Sequence, residues 1–132
     1  MQQLSGIAFE EFITGLLQGI GFRTQMTKVS GDGGVDIVAV LDKPLVGGRY
    51  LIQCKRFEPD SLVGAPTVRE FFGAINADRK AMKGILITTS GFTDQAKEFA
   101  EDVGLELIEG EALTALIAEQ NRDKAKTRDE SE

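Results

Sequence analysis

Apolar residues near the start of the chain recur at the spacing of one helix face. They are Phe9, Phe12, Ile13, Leu16, Leu17 and Ile20. Positions three and four apart lie on the same side of an α-helix, so this pattern predicts a helix over residues 4–20 that packs on a core. Ser5 can cap its first turn with a hydroxyl, and Gly21 is a typical stop signal.

Three segments with the composition of β-strands follow, at residues 22–28, 35–41 and 49–56. The first two are separated by the sequence SGDGG at residues 30–34, and the last two by a segment that contains the Gly47-Gly48 pair. Turns this short and rich in glycine connect neighbouring strands that run in opposite directions. The pattern therefore predicts an antiparallel meander of three strands.

A second helix is predicted over residues 66–82. Proline is favoured in the first turn of a helix, and Pro66 is followed at helical spacing by Val68, Phe71, Phe72 and Ile75. The next segment, residues 84–89, is apolar without alternation, which is typical of a strand buried on both faces.

The pattern of the last third of the chain predicts a helix, a strand and a further helix. Thr93 suits the N-cap of a third helix that ends at Gly104, residues 105–108 have strand composition, and apolar residues at 113–117 mark a final helix. The element order is αβββαβαβα. Helices inserted between the later strands require parallel crossovers. We therefore expect an α/β fold with a central mixed β-sheet, an antiparallel meander followed by parallel strands, flanked by helices on both faces.

Length and composition indicate one domain. A hydrophobic content of 42% in 132 residues is sufficient for an ordinary core, and we assign the domain to residues 1–120. Residues 121–132 hold four basic and four acidic side chains and almost no apolar ones, which predicts a charged, disordered tail. No apolar run approaches the roughly 20 residues that span a bilayer, and a secretory signal pattern is absent. We expect a soluble, cytoplasmic protein that does not enter a membrane.

Charge is distributed unevenly along the chain. The net charge of −6 argues against a general affinity for polyanions. Residues 43–83, however, hold eight basic and four acidic side chains, whereas residues 84–120 hold one basic and eight acidic. One part of the surface can therefore face phosphates while the rest repels them, although uneven charge by chance is an alternative.

The ligands available for a metal ion are limited by composition. The chain has no His and a single Cys54, which excludes both a zinc-type ligand set and an internal disulfide. A bound metal would need oxygen ligands, a preference that favours Mg²⁺ or Mn²⁺.

A polar pair interrupts the apolar strand at residues 49–56. Side chains at i and i+2 share a face, so Gln53 and Lys55 project together. Burying them costs free energy unless they have partners, and Asp36 near the start of the preceding strand can supply one. An acid and an amide oxygen can ligate a divalent cation, while a lysine orients water or offsets charge on phosphorus, so the set suits phosphodiester cleavage. A structural hydrogen-bond network in a half-buried sheet is the alternative.

The first helix offers one more carboxylate. At about 100° per residue, Glu10 falls at the edge of the apolar stripe near Leu17, whereas Glu11 falls close to the opposite side. Glu10 is therefore the better candidate to reach a site at the edge of the sheet, directly or through a metal-bound water. The alternative is that both are solvated glutamates that favour the helix dipole.

Four segments together resemble a known family. Phe9-Glu10 with Leu16-Leu17 and Gly21-Phe22, SGDGGVDIVA at 30–39, LIQCKR at 51–56 and GILITTSGFT at 84–93 are similar to the Mrr family of restriction endonuclease-like domains. The resemblance covers Phe9 to about Leu116. It implies the PD-(D/E)xK nuclease fold, also called the restriction endonuclease-like fold, whose core order agrees with the elements predicted above.

The resemblance also implies a site and an activity. The family's metal-binding acid falls on Asp36, its Gln-x-Lys pair on Gln53 and Lys55, and its helical glutamate on Glu10. The implied metal ligands are Asp36, Gln53 and Glu10, and the implied activity is Mg²⁺-dependent cleavage of foreign or modified double-stranded DNA, with Mn²⁺ as a substitute. Gln53 stands where many relatives in the wider superfamily have an acid, so weaker metal binding is expected.

Other residues in the shared segments are candidates for DNA contacts. Arg56 and Arg69 lie in the basic segment, and Ser30 and Thr89 carry hydroxyls that can bind phosphate oxygens. A turn-forming role for Ser30 and a capping role for Thr89 are the alternatives.

The resemblance leaves partners and two other functions open. The sequence contains no winged-helix segment or zinc finger, so selection of a DNA site is expected from an additional recognition domain, a partner or a homodimer. Similar folds also support structure-selective nucleases that act on junctions or flaps. A non-catalytic nucleic-acid-binding module that keeps the fold is the alternative from another class.

Overall fold

The computed structural model of the chain describes residues 6–27, 34–58 and 60–130, and this part contains four helices and five strands. The helices are α1 (Gly6–Ile20), α2 (Ala65–Ala77), α3 (Asp94–Val103) and α4 (Gly110–Glu130). The strands are β1 (Arg23–Met26), β2 (Ile37–Leu41), β3 (Gly48–Lys55), β4 (Ala81–Thr88) and β5 (Glu106–Ile108). The predicted order αβββαβαβα is confirmed.

The strands form one mixed sheet in the order β1-β2-β3-β4-β5. β1, β2 and β3 pair antiparallel, whereas β3, β4 and β5 pair parallel, so both predicted parts of the sheet are present. Lys55 of β3 is level with Thr88 of β4 in the register, and β2 begins beside them, where Ile37 pairs with Ile52. One edge of the sheet therefore holds the C-terminal ends of β3 and β4 and the start of β2.

Helices cover both faces of the sheet and bury two apolar clusters. The cluster under α1 and α4 contains Phe9, Ile13, Leu17, Ile37, Ala39, Ile52, Ile87 and Leu113. The cluster under α2 and α3 contains Leu51, Val63, Val68, Phe71, Leu86, Phe92, Ala96 and Ala100. Leu51 and Ile52 belong to opposite clusters, as the alternation of side chains along a strand requires.

The second helix ends at Ala77, and the predicted end at residue 82 is wrong. Asp78 leaves the helical conformation with ψ 102°, and its carboxylate accepts hydrogen bonds from the Lys80 N–H at 3.0 Å and the Arg49 side chain at 2.9 Å. Residues 81–83 then pair with β3. The apolar spacing could not reveal this end because pairing with a distant strand overrides local helical preference.

Other helix ends agree with the sequence. Gly21 adopts φ +123° and its N–H donates to the Leu17 carbonyl at 3.1 Å, which ends α1. The Thr93 hydroxyl accepts from the Ala96 N–H at 3.1 Å, and Gly104 ends α3 with φ +78°. Ser5, the predicted cap of α1, lies outside the described residues.

The last helix continues to Glu130, so the structure assigns helix to most of the segment expected to be disordered. The charge of residues 121–130 indicates a solvated segment, but Ala, Lys, Arg and Glu are also strong helix formers. The domain boundary at residue 120 stays a prediction. Within the described residues, none of the helices combines the length and apolarity required to cross a bilayer.

Candidate active site

Asp36 lies directly before β2 and contacts β3 through both its backbone and its side chain. Its N–H donates to the Ile52 carbonyl at 2.8 Å, and its carboxylate oxygen Oδ2 accepts from the Cys54 N–H at 2.7 Å. Cys54 stands between Gln53 and Lys55 in the strand. The structure therefore brings the Asp36 carboxylate to the backbone that separates the two other candidate residues.

Gln53 is buried although its side chain is polar. Only 5% of its surface is exposed, and its carbonyl oxygen Oε1 has no hydrogen-bond partner among the described residues. Its amide nitrogen lies against Gly34, where an added Cβ atom would stand 1.8 Å away. A buried acceptor without a donor costs free energy, and a group from outside the chain that bound to Oε1 would remove this cost.

Burial dominates the electrostatics of Asp36. Desolvation raises the pKa of its carboxyl, whereas the Cys54 N–H and the Lys55 ammonium oppose the rise. The lowering influence of Lys55 on the pKa of Asp36 is that of a positive charge in its neighbourhood. The net upward direction shows that the protein's own groups do not fully compensate this buried negative charge.

Glu10 approaches the same point from α1. Its pKa is raised first by burial and then by the negative charge of Asp36, so the two carboxylates are close enough to repel each other. Glu11 is exposed, as the helix geometry predicted. The Cys54 thiol lies close to both acids, because burial, Asp36 and Glu10 in that order raise its pKa. The neutral thiol is therefore favoured in the metal-free protein.

The donor set fits a hard divalent cation. Asp36 and Glu10 supply two carboxylates whose charges act on each other, and Gln53 on the neighbouring strand supplies an unsatisfied amide oxygen, so all three candidates offer oxygen. No cluster of three His, Cys, Asp or Glu side chains suitable for a metal occurs in the part of the chain that the structure describes. Because one member of the candidate set is an amide, the set carries less negative charge than three carboxylates would.

The candidates for DNA contacts lie in different elements of the fold. Arg56 follows Lys55 at the edge of the sheet and is half-buried. Arg69 is exposed on α2, and its guanidinium lies 5.7 Å from the centre of the Phe99 ring, a cation–π contact. Ser30 lies outside the described residues. The assignment of DNA contacts to these residues stays a prediction.

Thr89 has a structural task at the site. Its hydroxyl donates to the Phe57 carbonyl at 2.8 Å and accepts from the Phe57 N–H at 2.9 Å, while its own N–H donates to the Lys55 carbonyl at 3.2 Å. These bonds extend the parallel pairing of the strands beyond Lys55. They favour a role in holding the end of β3 over the predicted contact with DNA, which stays untested.

Sequence reasoning missed two residues around the site. Gly34 was assigned only to a turn, yet it provides the space for the Gln53 amide; its position as the last glycine of SGDGG was the available signal. Glu109 accepts from the Phe92 N–H at 3.0 Å and so holds the loop after β4. No local pattern marks Glu109, because its partner is distant in sequence.

The mixed sheet with an acid, an amide and a lysine at one edge defines a restriction endonuclease-like nuclease fold. Residues 1–117 match the sequence model of the Mrr catalytic domain, described as "Restriction endonuclease". The chain belongs to this family. A relative from Escherichia coli (strain K12), "Type IV methyl-directed restriction enzyme EcoKMrr", is 41% identical over 123 residues, which cover 89% of this chain and 39% of the relative. The chain thus spans well under half of that protein.

Solved structures agree on the fold. The "DNA modification-dependent restriction endonuclease AspBHI" superposes with a TM-score of 0.67 at 23% identity, covering 83% of this chain and 30% of that one. The "MspJI Restriction Endonuclease in Complex with 27-mer Oligonucleotide" gives a TM-score of 0.60 at 25% identity, over 83% of this chain and 27% of that one. The predicted fold class and family are confirmed.

The raised pKa of Asp36 predicts a pH-dependent stability of the metal-free protein. Between the ordinary value of 3.8 and the higher folded value, the folded protein binds more protons than the unfolded one, so the free energy of unfolding falls as pH rises. Asp36→Asn lacks this titration. Urea unfolding of both proteins from about pH 3 to about pH 7 should show the wild type losing stability relative to the variant. A relative gain would contradict the burial of the carboxylate.

Proposed function

We propose that this chain is the catalytic domain of a Mg²⁺-dependent DNA endonuclease of the type IV restriction class, acting on foreign or modified double-stranded DNA. The observation that carries the proposal is the contact of the Asp36 carboxylate with the Cys54 N–H, between Gln53, whose buried amide oxygen has no partner among the described residues, and Lys55. The family supports it, because restriction endonucleases of this fold use a divalent metal at such a set.

Asp36, Gln53 and Glu10 would hold the metal, with Mn²⁺ as a substitute for Mg²⁺. When bound, the cation polarises a phosphate oxygen and lowers the pKa of a water molecule. Asp36 is held for this task because the Cys54 N–H occupies one side of its carboxylate and leaves the other oxygen available. Glu10 reaches the site from a separate helix, so it binds the cation directly or through water.

Lys55 supplies the positive charge that does not depend on the metal. Its ammonium can donate hydrogen bonds to a non-bridging phosphate oxygen or to the attacking water, and it offsets negative charge that develops on the phosphoryl group. The bonds of Thr89 to Lys55 and Phe57 restrain the backbone from which this side chain extends. The protein therefore positions the attacking water and stabilises the charge that develops on the phosphoryl group. The reaction needs no covalent enzyme intermediate.

Selection of the DNA is assigned to parts beyond the active site. The relative from Escherichia coli is described as methyl-directed, and this chain spans 39% of its length. We infer that an additional recognition or sensing domain, or a partner, directs the catalytic domain to modified DNA in the cytoplasm. Cleavage of both strands requires two active sites, which a homodimer would provide.

Incubation of the protein with supercoiled plasmid tests the proposal. We expect nicked and then linear DNA with Mg²⁺ or Mn²⁺. We expect no product with EDTA, because without a cation the oxygen ligands cannot polarise the phosphate or activate water. Methylated and unmethylated plasmids, and branched oligonucleotides, should be compared in parallel. Cleavage that persists in EDTA would refute the metal-dependent assignment, and a strict preference for branched DNA would favour a structure-selective nuclease.

A further inference from the structure

An open cleft of about 750 Å³ lies between α2 and the sheet, on the face opposite α1. Val35, Val38 and Leu51 form its apolar floor, and Ala74 and Ala77 of α2 form one wall. Its volume is within the roughly 300–1,000 Å³ of sites that bind small molecules. We call this space the β2–α2 cleft.

One end of the cleft adjoins the candidate active site along the chain, although the candidate site residues themselves do not line it. Val35 directly precedes Asp36, and Leu51 shares a strand face with Gln53 two residues further on. Arg49 lines the other end, four residues before Gln53, which corresponds to roughly 13 Å along a strand. A strand bound along the cleft from its Arg49 end would therefore run toward the candidate active site.

The mouth of the cleft carries uncompensated positive charge. Arg79 and Lys80 line it and are exposed, and neither forms an ion pair within the described residues. Asp78, the acid of the lining, is bound by Arg49 at 2.9 Å. In a chain with a net charge of −6, two available cations beside an apolar floor mark a distinct surface.

We propose that the β2–α2 cleft binds unpaired nucleotides of the DNA strand that leads away from the active site, an inference that rests on the proposed nuclease function. Phosphates would lie on Arg79 and Lys80, and bases would cover Val35 and Val38, which are partly exposed in the cleft. A duplex hides the faces of its bases, so only an unpaired stretch can use the apolar floor. An apolar peptide would leave both cations without a counter-charge.

The lining predicts binding without sequence preference. Its floor and wall are aliphatic, and the Thr27 hydroxyl at its border already bonds to the Val35 carbonyl at 2.6 Å. Reading a base requires donors and acceptors directed at its edge. We therefore expect the cleft to favour strand separation near the cut rather than to select a sequence.

Fluorescence anisotropy with a labelled oligothymidylate of about 12 nucleotides tests the cleft. All proteins in this experiment carry Asp36→Asn, and the buffer contains EDTA, so that binding is measured without cleavage. Adding Arg79→Gln with Lys80→Gln should weaken binding about tenfold or more and lower the slope of log Kd against log salt by about 1.4, since each lost phosphate contact removes about 0.7 for a single strand. The loss of affinity caused by these two substitutions should be smaller for a duplex of the same length than for the single strand.

Two further variants separate the cleft from general charge. Lys83→Gln with Lys97→Gln makes the same change in net charge at cations that already pair with Glu106 and Glu109, and should leave binding unchanged. Ala74→Ile narrows the cleft without altering charge, and should weaken oligonucleotide binding several-fold with the salt slope retained.

The outcomes are distinguishable from failure of the nuclease assignment. Equal losses for the two charge-changing pairs, equal losses for single strand and duplex, no effect of Ala74→Ile or no binding of the oligonucleotide would each overturn the cleft proposal. Absence of plasmid cleavage with cleft-dependent binding intact would instead refute catalysis alone.

Discussion

Asp36→Asn is expected to abolish plasmid cleavage while leaving the folded protein at least as stable as the wild type at neutral pH. Asparagine retains an oxygen that can accept from the Cys54 N–H, so the backbone contact of 2.7 Å survives. The variant removes a carboxylate whose pKa is raised by burial, and with it a cost of desolvation. It also removes the charge of a proposed metal ligand, so the cleavage rate should fall on the order of 10³-fold or more.

Cation-dependent melting provides the second readout of this variant. Mn²⁺ that binds the folded protein should raise the melting temperature of the wild type in a concentration-dependent way, because a ligand of the native state stabilises it. The Asn variant should show little or no rise. Glu11→Gln is the matched control, since it removes an exposed carboxylate one position from Glu10 and should change neither cleavage nor melting. Full cleavage by Asp36→Asn would eliminate this residue from the site.

Gly34→Ala is expected to damage both stability and catalysis. Gly34 has φ +86°, a backbone conformation that residues other than glycine rarely adopt. The new Cβ atom would also stand 1.8 Å from the Gln53 amide nitrogen. The strained backbone alone costs on the order of 1–3 kcal/mol. Gln53 must also move, and because it is buried it has little free space to enter. We expect a lower unfolding midpoint in urea and cleavage reduced on the order of 100-fold.

Gly73→Ala is the control for this substitution. Gly73 is exposed within α2, and an added Cβ would meet nothing within 4 Å. Alanine has the higher helix propensity, so this variant should be more stable by about 0.4–1 kcal/mol and fully active. If Gly34→Ala were as stable and active as Gly73→Ala, the close packing of Gly34 on Gln53 would be incorrect.

The element order and the identity of the candidate site followed from local patterns. The first helix, the three-strand meander and the shared face of Gln53 and Lys55 depend on side-chain spacing along single segments, which the sequence contains in full. The choice of Glu10 over Glu11 depended on helix geometry alone. Side-chain spacing indicated only which of these residues lie together. The resemblance of the motifs to the family then indicated the chemistry of those residues.

The tertiary structure decided the features that join distant segments. The residue after the end of α2, Asp78, is bonded to Arg49 of β3, and the buried Gln53 amide lies against Gly34, which precedes β2. The β2–α2 cleft is formed by residues from four separate segments. Periodicity reports which side chains share a face, but distances between segments are set by packing, and the desolvation that raises the pKa of Asp36 exists only once those segments meet.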